Sequence, residues 1–240
     1  MKIKIQKYLN TKQFHIFIVG FIIFMIIFIS GIISLKYSVE GELNLPFGLS
    51  KISIISTVEG TDIEDNINKW NLKVNQNNDI YLYIKKNGEY KQTEIIETVK
   101  LDNFNIEKYS NVGTIKLFKP DNRPETVLFK NIEENEVKNI EFIGSMESNL
   151  KEKKISNQGG LVVFRYSVTE LGNYISNDDQ EINHNQLLNK LSINNDDLKF
   201  KVKFDIFINL VSGKSYKANV SLDLPVNDTV LNGTESAEIT

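Results

Sequence analysis

The chain has 240 residues, one quarter of them charged, a formal net charge of −3, and no cysteine. Without cysteine, it cannot form disulfides, thiolate nucleophiles, cysteine metal sites or a lipidated cysteine anchor. Residues 1–36 hold five lysines and no acidic residue, so the remainder carries 23 basic and 31 acidic residues, a formal charge of −8. That acidic surplus disfavours a nucleic-acid partner.

The first element is the apolar stretch FHIFIVGFIIFMIIFISGIISL at residues 14–35. As a helix it is about 33 Å long, close to the roughly 30 Å hydrocarbon core of a bilayer. It has no polar face of the kind a helix of a soluble core shows, and Leu35, Lys36 and Tyr37 do not form a signal-peptidase site. We predict a transmembrane helix, with a cleaved signal or a soluble core helix as the alternatives.

The flanks of this stretch predict its orientation. Four lysines precede it, whereas Glu40 and Glu42 follow it. Because positive residues favour the cytoplasmic side, residues 1–13 are predicted to be a cytoplasmic basic N-terminus. Residues 36–46 then form a linker, residues 47–226 an extracytoplasmic β-rich domain and residues 227–240 a disordered tail. The predicted location is the cell membrane, crossed once.

Residues 47–226 show the period-two alternation of half-buried strands. LSKISIISTVE predicts a strand, and KWNLKV followed by IYLYIKK predicts a hairpin that turns at NQNND. Later strands are predicted at TVKLDNFNI, GTIKLFK, ETVLFK, NIEFIG and GGLVVFRYSV, and a short helix at NQLLNKL with Asn185 as its N-cap. LKFKVKFDIFINL and SYKANVSLDLPV predict a long hairpin that turns at Ser212 and Gly213.

These elements predict an all-β fold. Nine or ten strands with one short helix fit an antiparallel β-sandwich-like single domain that follows the N-terminal transmembrane helix. A barrel is the alternative. The charged run KEKK at residues 151–154 is predicted to be solvated surface.

Arg165 is one of only two arginines in the chain, and it lies in the apolar run GGLVVFRYSV. Alternation places it on one face with Leu161 and Val163, opposite Val162 and Phe164. An arginine there lies on the outer face of a sheet, pairs with an internal carboxylate, or anchors a ligand carboxylate or phosphate through its planar double donor. We keep Arg165 as the candidate ligand-binding residue.

The acidic segment SNDDQE offers oxygen atoms of the kind that calcium accepts, from Asn177, Asp178, Asp179 and Glu181. It lacks the spacing and the glycine of an EF-hand, so a solvated turn is the favoured interpretation. The sequence contains no recognisable nucleophile motif that would use His184 as a base, and we predict a surface or capping role for this residue. No catalytic residue, metal or cofactor is predicted.

Four segments of the chain show a family resemblance: NLPFGLSKISIISTVEG, WNLKVNQNNDIYLYIKKN, SNQGGLVVFRY and LGNYISNDDQEIN. They resemble a group of single-pass membrane proteins from low-GC Gram-positive bacteria. The resemblance extends over nearly the whole chain, including the apolar stretch. It implies an anchored single domain, and it implies no activity, ligand or active residue.

The predicted function is that of a non-enzymatic protein-binding or assembly module held near the outer membrane face. Its predicted partners are the lipid bilayer, through residues 14–35, and another envelope or membrane protein. The alternatives are a cell-envelope enzyme and a structural subunit of a membrane complex. For the last, the small residues Gly20, Ser30, Gly31 and Ser34 would allow close helix packing.

Overall fold

The computed structural model describes residues 21, 23–25, 45–64, 69–88, 94–176, 186–227 and 233–239. The chain divides into two units, Met1–Leu43 and Asn44–Thr240, and the elements described below belong to the second. Within the described ranges, no helix is long and apolar enough to cross a membrane. The stretch predicted to do so, at residues 14–35, falls largely outside these ranges.

From residue 45 onward, the described residues form eleven strands and two short helices. The strands are β1 (Phe47–Asp62), β2 (Trp70–Lys86), β3 (Ile96–Lys108), β4 (Thr114–Phe118), β5 (Ile140–Ser145), β6 (Lys154–Ser156), β7 (Gly159–Thr169), β8 (Asn173–Ser176), β9 (Phe200–Leu210), β10 (Ser215–Leu224) and β11 (Thr234–Ile239). The helices are α1 (Leu187–Lys190) and α2 (Asn195–Leu198), and a 3₁₀ turn lies at Glu133–Asn135.

The strands form two sheets, which we call the front and the back sheet. The front sheet has the order β11-β1-β2-β7-β4, and β8 also pairs with β2. The back sheet has the order β10-β9-β3-β5-β6. All pairs are antiparallel except β5 with β6. The prediction of an all-β, mainly antiparallel fold is confirmed.

Aromatic side chains join the two sheets. Phe164 of β7 lies with its ring centroid 5.9 Å from Phe104 of β3 and 5.3 Å from Phe204 of β9. Tyr166 of β7 lies 6.0 Å from Phe200 of β9. Since strands of different sheets supply these rings, the sheets pack face to face as in a β-sandwich, and the tilted and edge-on ring contacts stabilise the core.

The hairpin of β9 and β10 is confirmed. Its register runs without a bulge from Ser215 opposite Asn209 to Leu224 opposite Phe200. Gly213 lies in the turn with a φ of 83°, a conformation that glycine adopts at little cost. Local alternation and turn chemistry point to the same structure here, which is why the sequence alone identifies it.

The hairpin predicted at NQNND is wrong, because β2 continues through residues 75–79 as one strand. On the inner face, Ser56 donates a hydrogen bond to Asn78 Oδ1 at 2.7 Å, and Asn78 donates to Gln76 Oε1 at 2.8 Å. β1 lies along one edge of β2 and β7 along the other. Because β1 and β7 pair with the backbone of β2, and Ser56 and Gln76 satisfy the amide of Asn78, residues that favour turns are held in an extended strand.

The strand predicted at ETVLFK is also wrong. These residues lie in the long connection between β4 and β5, residues 119–139, which we call the roof segment. The backbone of this segment forms irregular hydrogen bonds and does not pair along a neighbouring strand. For example, the Asp121 amide donates to the Leu128 carbonyl at 2.8 Å. Phe129 of this segment is 3% exposed whereas Val127 is 71% exposed, so the apolar residues that suggested a strand do not form one buried face.

The disordered tail predicted for residues 227–240 is wrong for residues 234–239, which form β11 on the edge of β1. The register pairs Thr57 with Thr234 and Ile52 with Ile239, and the Val58 amide donates to the Gly233 carbonyl at 2.8 Å. TESAEI has no apolar alternation of its own. Pairing with an existing strand edge therefore determines its conformation.

The predicted helix is present as α1, in which Leu187 and Leu188 are fully buried. Its predicted N-cap, Asn185, is not among the described residues. The sequence reading missed α2, which begins with a capping box formed by Asn194 and Asp197. It also missed the short strands β6 and β8.

Candidate functional site

The candidate site lies on the outer face of the front sheet. The register places Asn75 opposite Glu59, and Asp79 opposite Arg165. These residues alternate along their strands with side chains of the inter-sheet core, such as Phe164 and Val74. Polar side chains of β1, β2 and β7 therefore share one face, which an antiparallel sheet normally exposes to solvent.

The roof segment covers part of this face. Phe129 lies over Arg165, with its ring centroid 4.8 Å from the guanidinium carbon. Asn131 donates a hydrogen bond to Asn77 Oδ1 at 2.8 Å, and Ser167 donates to the same oxygen at 2.7 Å. The stacking of Phe129 on Arg165 and the hydrogen bond from Asn131 to Asn77 therefore fix the roof segment to the centre of the sheet.

Two charged groups hold the roof segment in shape. Lys151 donates from its ammonium to the backbone carbonyls of Arg123, at 2.8 Å, Pro124, at 3.1 Å, and Thr126. The solvated role predicted for the KEKK run is therefore wrong for Lys151. The Arg123 guanidinium in turn donates to both carboxylate oxygens of Asp121, at 3.0 Å and 2.7 Å.

We expect Lys151→Met to loosen the roof segment without unfolding the domain. Three carbonyls lose a charged donor, and hydrogen bonds to charged groups contribute roughly 1.5–3 kcal/mol. Hydrogen exchange should show faster exchange of the Asp121 amide, while the amides of β9 keep their protection. Lys154→Met is the matched control, because that ammonium pairs with the exposed Glu152. Equal protection of the Asp121 amide in wild type and Lys151→Met would contradict the role of Lys151.

The pair of Asp121 and Arg123 should make stability depend on pH. The two hydrogen bonds from Arg123 hold the pKa of Asp121 well below its usual range. Because the pKa is lower in the folded state, the stabilisation is complete above the unfolded-state pKa of about 3.9 and is lost as the pH falls through the folded-state value.

The measurement is the difference in free energy of unfolding between wild type and Arg123→Met across pH. We expect a constant difference above about pH 5 that shrinks progressively below about pH 4. A difference that stays unchanged down to about pH 2 would show that this carboxylate does not support the fold.

Between the roof segment and the sheet lies a cleft of about 400 Å³, which we call the roofed cleft. This volume lies within the roughly 300–1,000 Å³ range of ligand sites. Its described lining residues supply cations, amides, one carboxylate and apolar groups. The lining residues are Glu59, Thr61, Ile63, Lys73, Asn75, Thr126, Val127, Phe129, Lys130, Asn131, Ile132, Arg165 and Thr169.

Arg165, the candidate ligand-binding residue, borders this cleft, but its planar double donor is occupied. Its Nε and Nη2 donate to the two carboxylate oxygens of Asp79 at 2.5 Å and 2.9 Å. The two side chains are only 11% and 15% exposed. Nη1 donates to Asn131 at 3.4 Å and lies 3.9 Å from Glu59 Oε2. Arg165 therefore positions the floor and the roof of the cleft and offers no free fork to a ligand.

Three other polar groups of the cleft are uncommitted. Lys73 and Lys130 have no carboxylate within salt-bridge distance among the residues that the structure describes. Asn75 is 7% exposed, and its buried Oδ1 has no hydrogen-bond partner in the same part of the chain. An unpaired buried amide oxygen costs about 1–3 kcal/mol, so it is a group that a ligand can stabilise.

Glu59 is the one carboxylate among the described residues that line the cleft. It accepts a hydrogen bond from Asn77 Nδ2 at 2.8 Å. Its side chain is 53% exposed, so it keeps acceptor capacity toward solvent. With Arg165 paired to Asp79, the two lysines give the described lining of the cleft a small positive excess, whereas residues 37–240 are acidic as a whole.

A second, open depression of about 410 Å³ lies on the same face beside β11, between Tyr81, Tyr83 and Ser236. Lys51 lies over the Tyr83 ring at 4.6 Å and pairs with Glu238 at 2.8 Å. Partial burial raises the pKa of the Tyr81 hydroxyl. The register row of Asp79 and Arg165 separates this depression from the roofed cleft.

The outer face of the back sheet differs, because its polar groups satisfy one another. Asp205 accepts hydrogen bonds from Asn103, at 2.7 Å, and from Asn219, and it pairs with Lys217 at 2.9 Å. The hydrogen bond from Asn103 is the main cause that lowers the pKa of Asp205. Among the described residues, this arrangement leaves no uncommitted polar cluster around Asp205, and the roofed cleft remains the candidate site.

The calcium candidates Asn177, Asp178, Asp179 and Glu181 lie outside the described ranges, as does His184. Within those ranges, no group of three histidine, cysteine or acidic residues could hold a metal ion. Sequence reasoning missed Lys73, Asn75 and Lys130. No local signal could have found them, because the lysines belong to β2 and to the roof segment, which the fold alone brings together.

Comparison with known proteins found no relative of this chain. Neither a protein-family model nor a curated protein nor a solved structure matches the chain.

Proposed function

We propose that the chain is a non-enzymatic protein-binding module held at the outer face of the cell membrane by residues 14–35. The apolar length of that stretch and the excess of lysine before it support the anchor and its orientation. The resemblance to single-pass membrane proteins of low-GC Gram-positive bacteria supports the same arrangement.

The roofed cleft is the observation that carries the binding proposal. It joins uncommitted polar groups to exposed apolar side chains, since Ile63 is 51% and Val127 71% exposed. Exposed apolar residues beside unpaired polar groups are typical of a surface that a partner covers. A rigid sheet forms the floor and a fixed loop the roof, so the surface is preformed, which lowers the entropic cost of binding.

Co-purification of the full chain from its own cells tests the proposal. Val127→Asp places a charge at the rim of the cleft, and Val211→Asp makes the same change at the turn between β9 and β10, where the valine is 60% exposed. We expect partners that are recovered with wild type and Val211→Asp to fall about tenfold or more with Val127→Asp. Equal recovery from both variants would contradict binding at the cleft.

The orientation has a separate test. Protease added to cells stripped of their wall should degrade the domain from about residue 37 onward, because the proposal places it outside. Full protection of the domain would contradict the orientation. The binding proposal would then be decided by the co-purification result alone.

A further inference from the structure

We propose that the roofed cleft binds an acidic peptide segment, with a side-chain carboxylate held by Lys73 and Lys130. The inference rests on the proposed binding function and names the chemistry of its ligand. A carboxylate is the simplest partner for two ammonium groups that lack a carboxylate of their own within the described ranges.

Charge complementarity favours an anion in the roofed cleft. Residues 37–240 carry a formal charge of −8, so most of the surface repels an acidic ligand. In the cleft, Asp79 balances Arg165 and the two lysines outnumber Glu59. An acidic segment therefore meets local attraction at the cleft, and this raises specificity and the rate of encounter.

The remaining lining fits a peptide better than an inorganic phosphate. The paired donors of the Arg165 guanidinium, which could bind a phosphate, already donate to Asp79. Glu59 repels a doubly charged phosphate, whereas its exposed carboxylate can accept a hydrogen bond from a peptide N–H. Val127 and Ile63 offer contact area for aliphatic side chains that flank the carboxylate.

The side-chain amide of Asn75 can form hydrogen bonds with a peptide backbone. Its amide is nearly buried and its Oδ1 has no partner among the described residues. Rotation of the amide by half a turn exchanges oxygen and NH₂, so Asn75 can accept from a backbone N–H or donate to a backbone carbonyl. A main-chain contact of this kind sets the register of the peptide, and the lysines select its charge.

The test uses the full chain in detergent micelles at constant ionic strength, with trifluoroacetyl-Leu-Asp-Glu-Leu-amide as the probe and fluorine NMR as the readout. The neutral probe trifluoroacetyl-Leu-Asn-Gln-Leu-amide has the same shape without the charges. We expect the acidic probe to bind at roughly millimolar concentration and the neutral probe about tenfold more weakly or not at all.

A double variant, Lys73→Met with Lys130→Met, should weaken binding of the acidic probe about tenfold. The matched control is Lys138→Met with Lys203→Met, which removes two exposed lysines that do not line the cleft. We expect the control to bind as wild type does. Equal loss in both double variants, or equal affinity for the two probes, would overturn the assignment of an acidic ligand.

Three further outcomes bear on this inference, and the last two separate it from the proposed function. Inorganic phosphate that displaces the acidic probe at a lower concentration than the probe itself requires would show a general anion site and overturn the peptide assignment. If neither probe binds while Val127→Asp still abolishes co-purification, the acidic ligand is wrong and the binding module stands. If Val127→Asp also leaves co-purification intact, both are wrong.

Discussion

Arg165→Met is expected to destabilise the domain by about 3–5 kcal/mol, because it leaves the Asp79 carboxylate without its partner on a nearly buried face. The two side chains are 11% and 15% exposed and share two hydrogen bonds. The same change removes the surface on which Phe129 stacks. Urea unfolding followed by circular dichroism measures the loss.

A double variant keeps this prediction testable if Arg165→Met does not fold. Arg165→Met combined with Asp79→Leu removes both charges, and replacement of a buried pair by apolar residues often costs little. We expect the double variant to be more stable than Arg165→Met alone, with non-additive effects. Strictly additive losses would show that the two side chains do not stabilise each other.

Arg165→Lys tests the geometry of the pair. A lysine keeps the charge but cannot donate two parallel hydrogen bonds to Asp79, so we expect a stability between that of wild type and Arg165→Met. Because Asp79 occupies the fork, binding at the roofed cleft should depend on Arg165 only through the shape of the cleft. A variant with native stability and lost binding would instead support direct ligand contact.

Phe164→Ala is the second change with a large expected effect. Phe164 is fully buried and touches Phe104, Tyr166 and Phe204, so its ring joins the two sheets. Removal of a buried phenylalanine side chain costs about 3–5 kcal/mol, partly through the cavity it leaves. The midpoint of thermal unfolding should fall accordingly.

Two variants serve as controls for Phe164. Phe164→Leu keeps most of the volume and should cost less than about 1.5 kcal/mol. Phe207→Ala removes a half-buried ring from the outer face of the back sheet, where Lys217 lies over it at 5.6 Å. A loss at Phe207 as large as that at Phe164 would contradict the placement of the core between the sheets.

Strands whose residues alternate locally were predictable from the sequence. The alternation in β9 and β10, together with Gly213, identifies the hairpin without reference to the rest of the chain. The apolar run of β7 likewise identifies a strand and predicts which face Arg165 occupies. In these segments, local preference and tertiary packing agree.

Segments that depend on distant neighbours were not predictable in this way. The run NQNND is a strand only because β1 and β7 lie on its two sides. TESAEI is a strand only because it pairs with β1. The roof segment is held by Lys151 and Arg165, and nothing in its own sequence specifies those contacts. The roofed cleft depends on all of these features, so its residues could not be recognised before the fold was known.

Photo-crosslinking in intact cells tests the central claim most directly. A photoreactive amino acid is placed at Val127, on the rim of the roofed cleft, or at Val211, on the turn between β9 and β10; the two valines are 71% and 60% exposed. The account predicts a discrete crosslinked partner from Val127 that is absent from Val211 and is lost with Lys73→Met and Lys130→Met. The same products from both positions, or none from Val127, would contradict it.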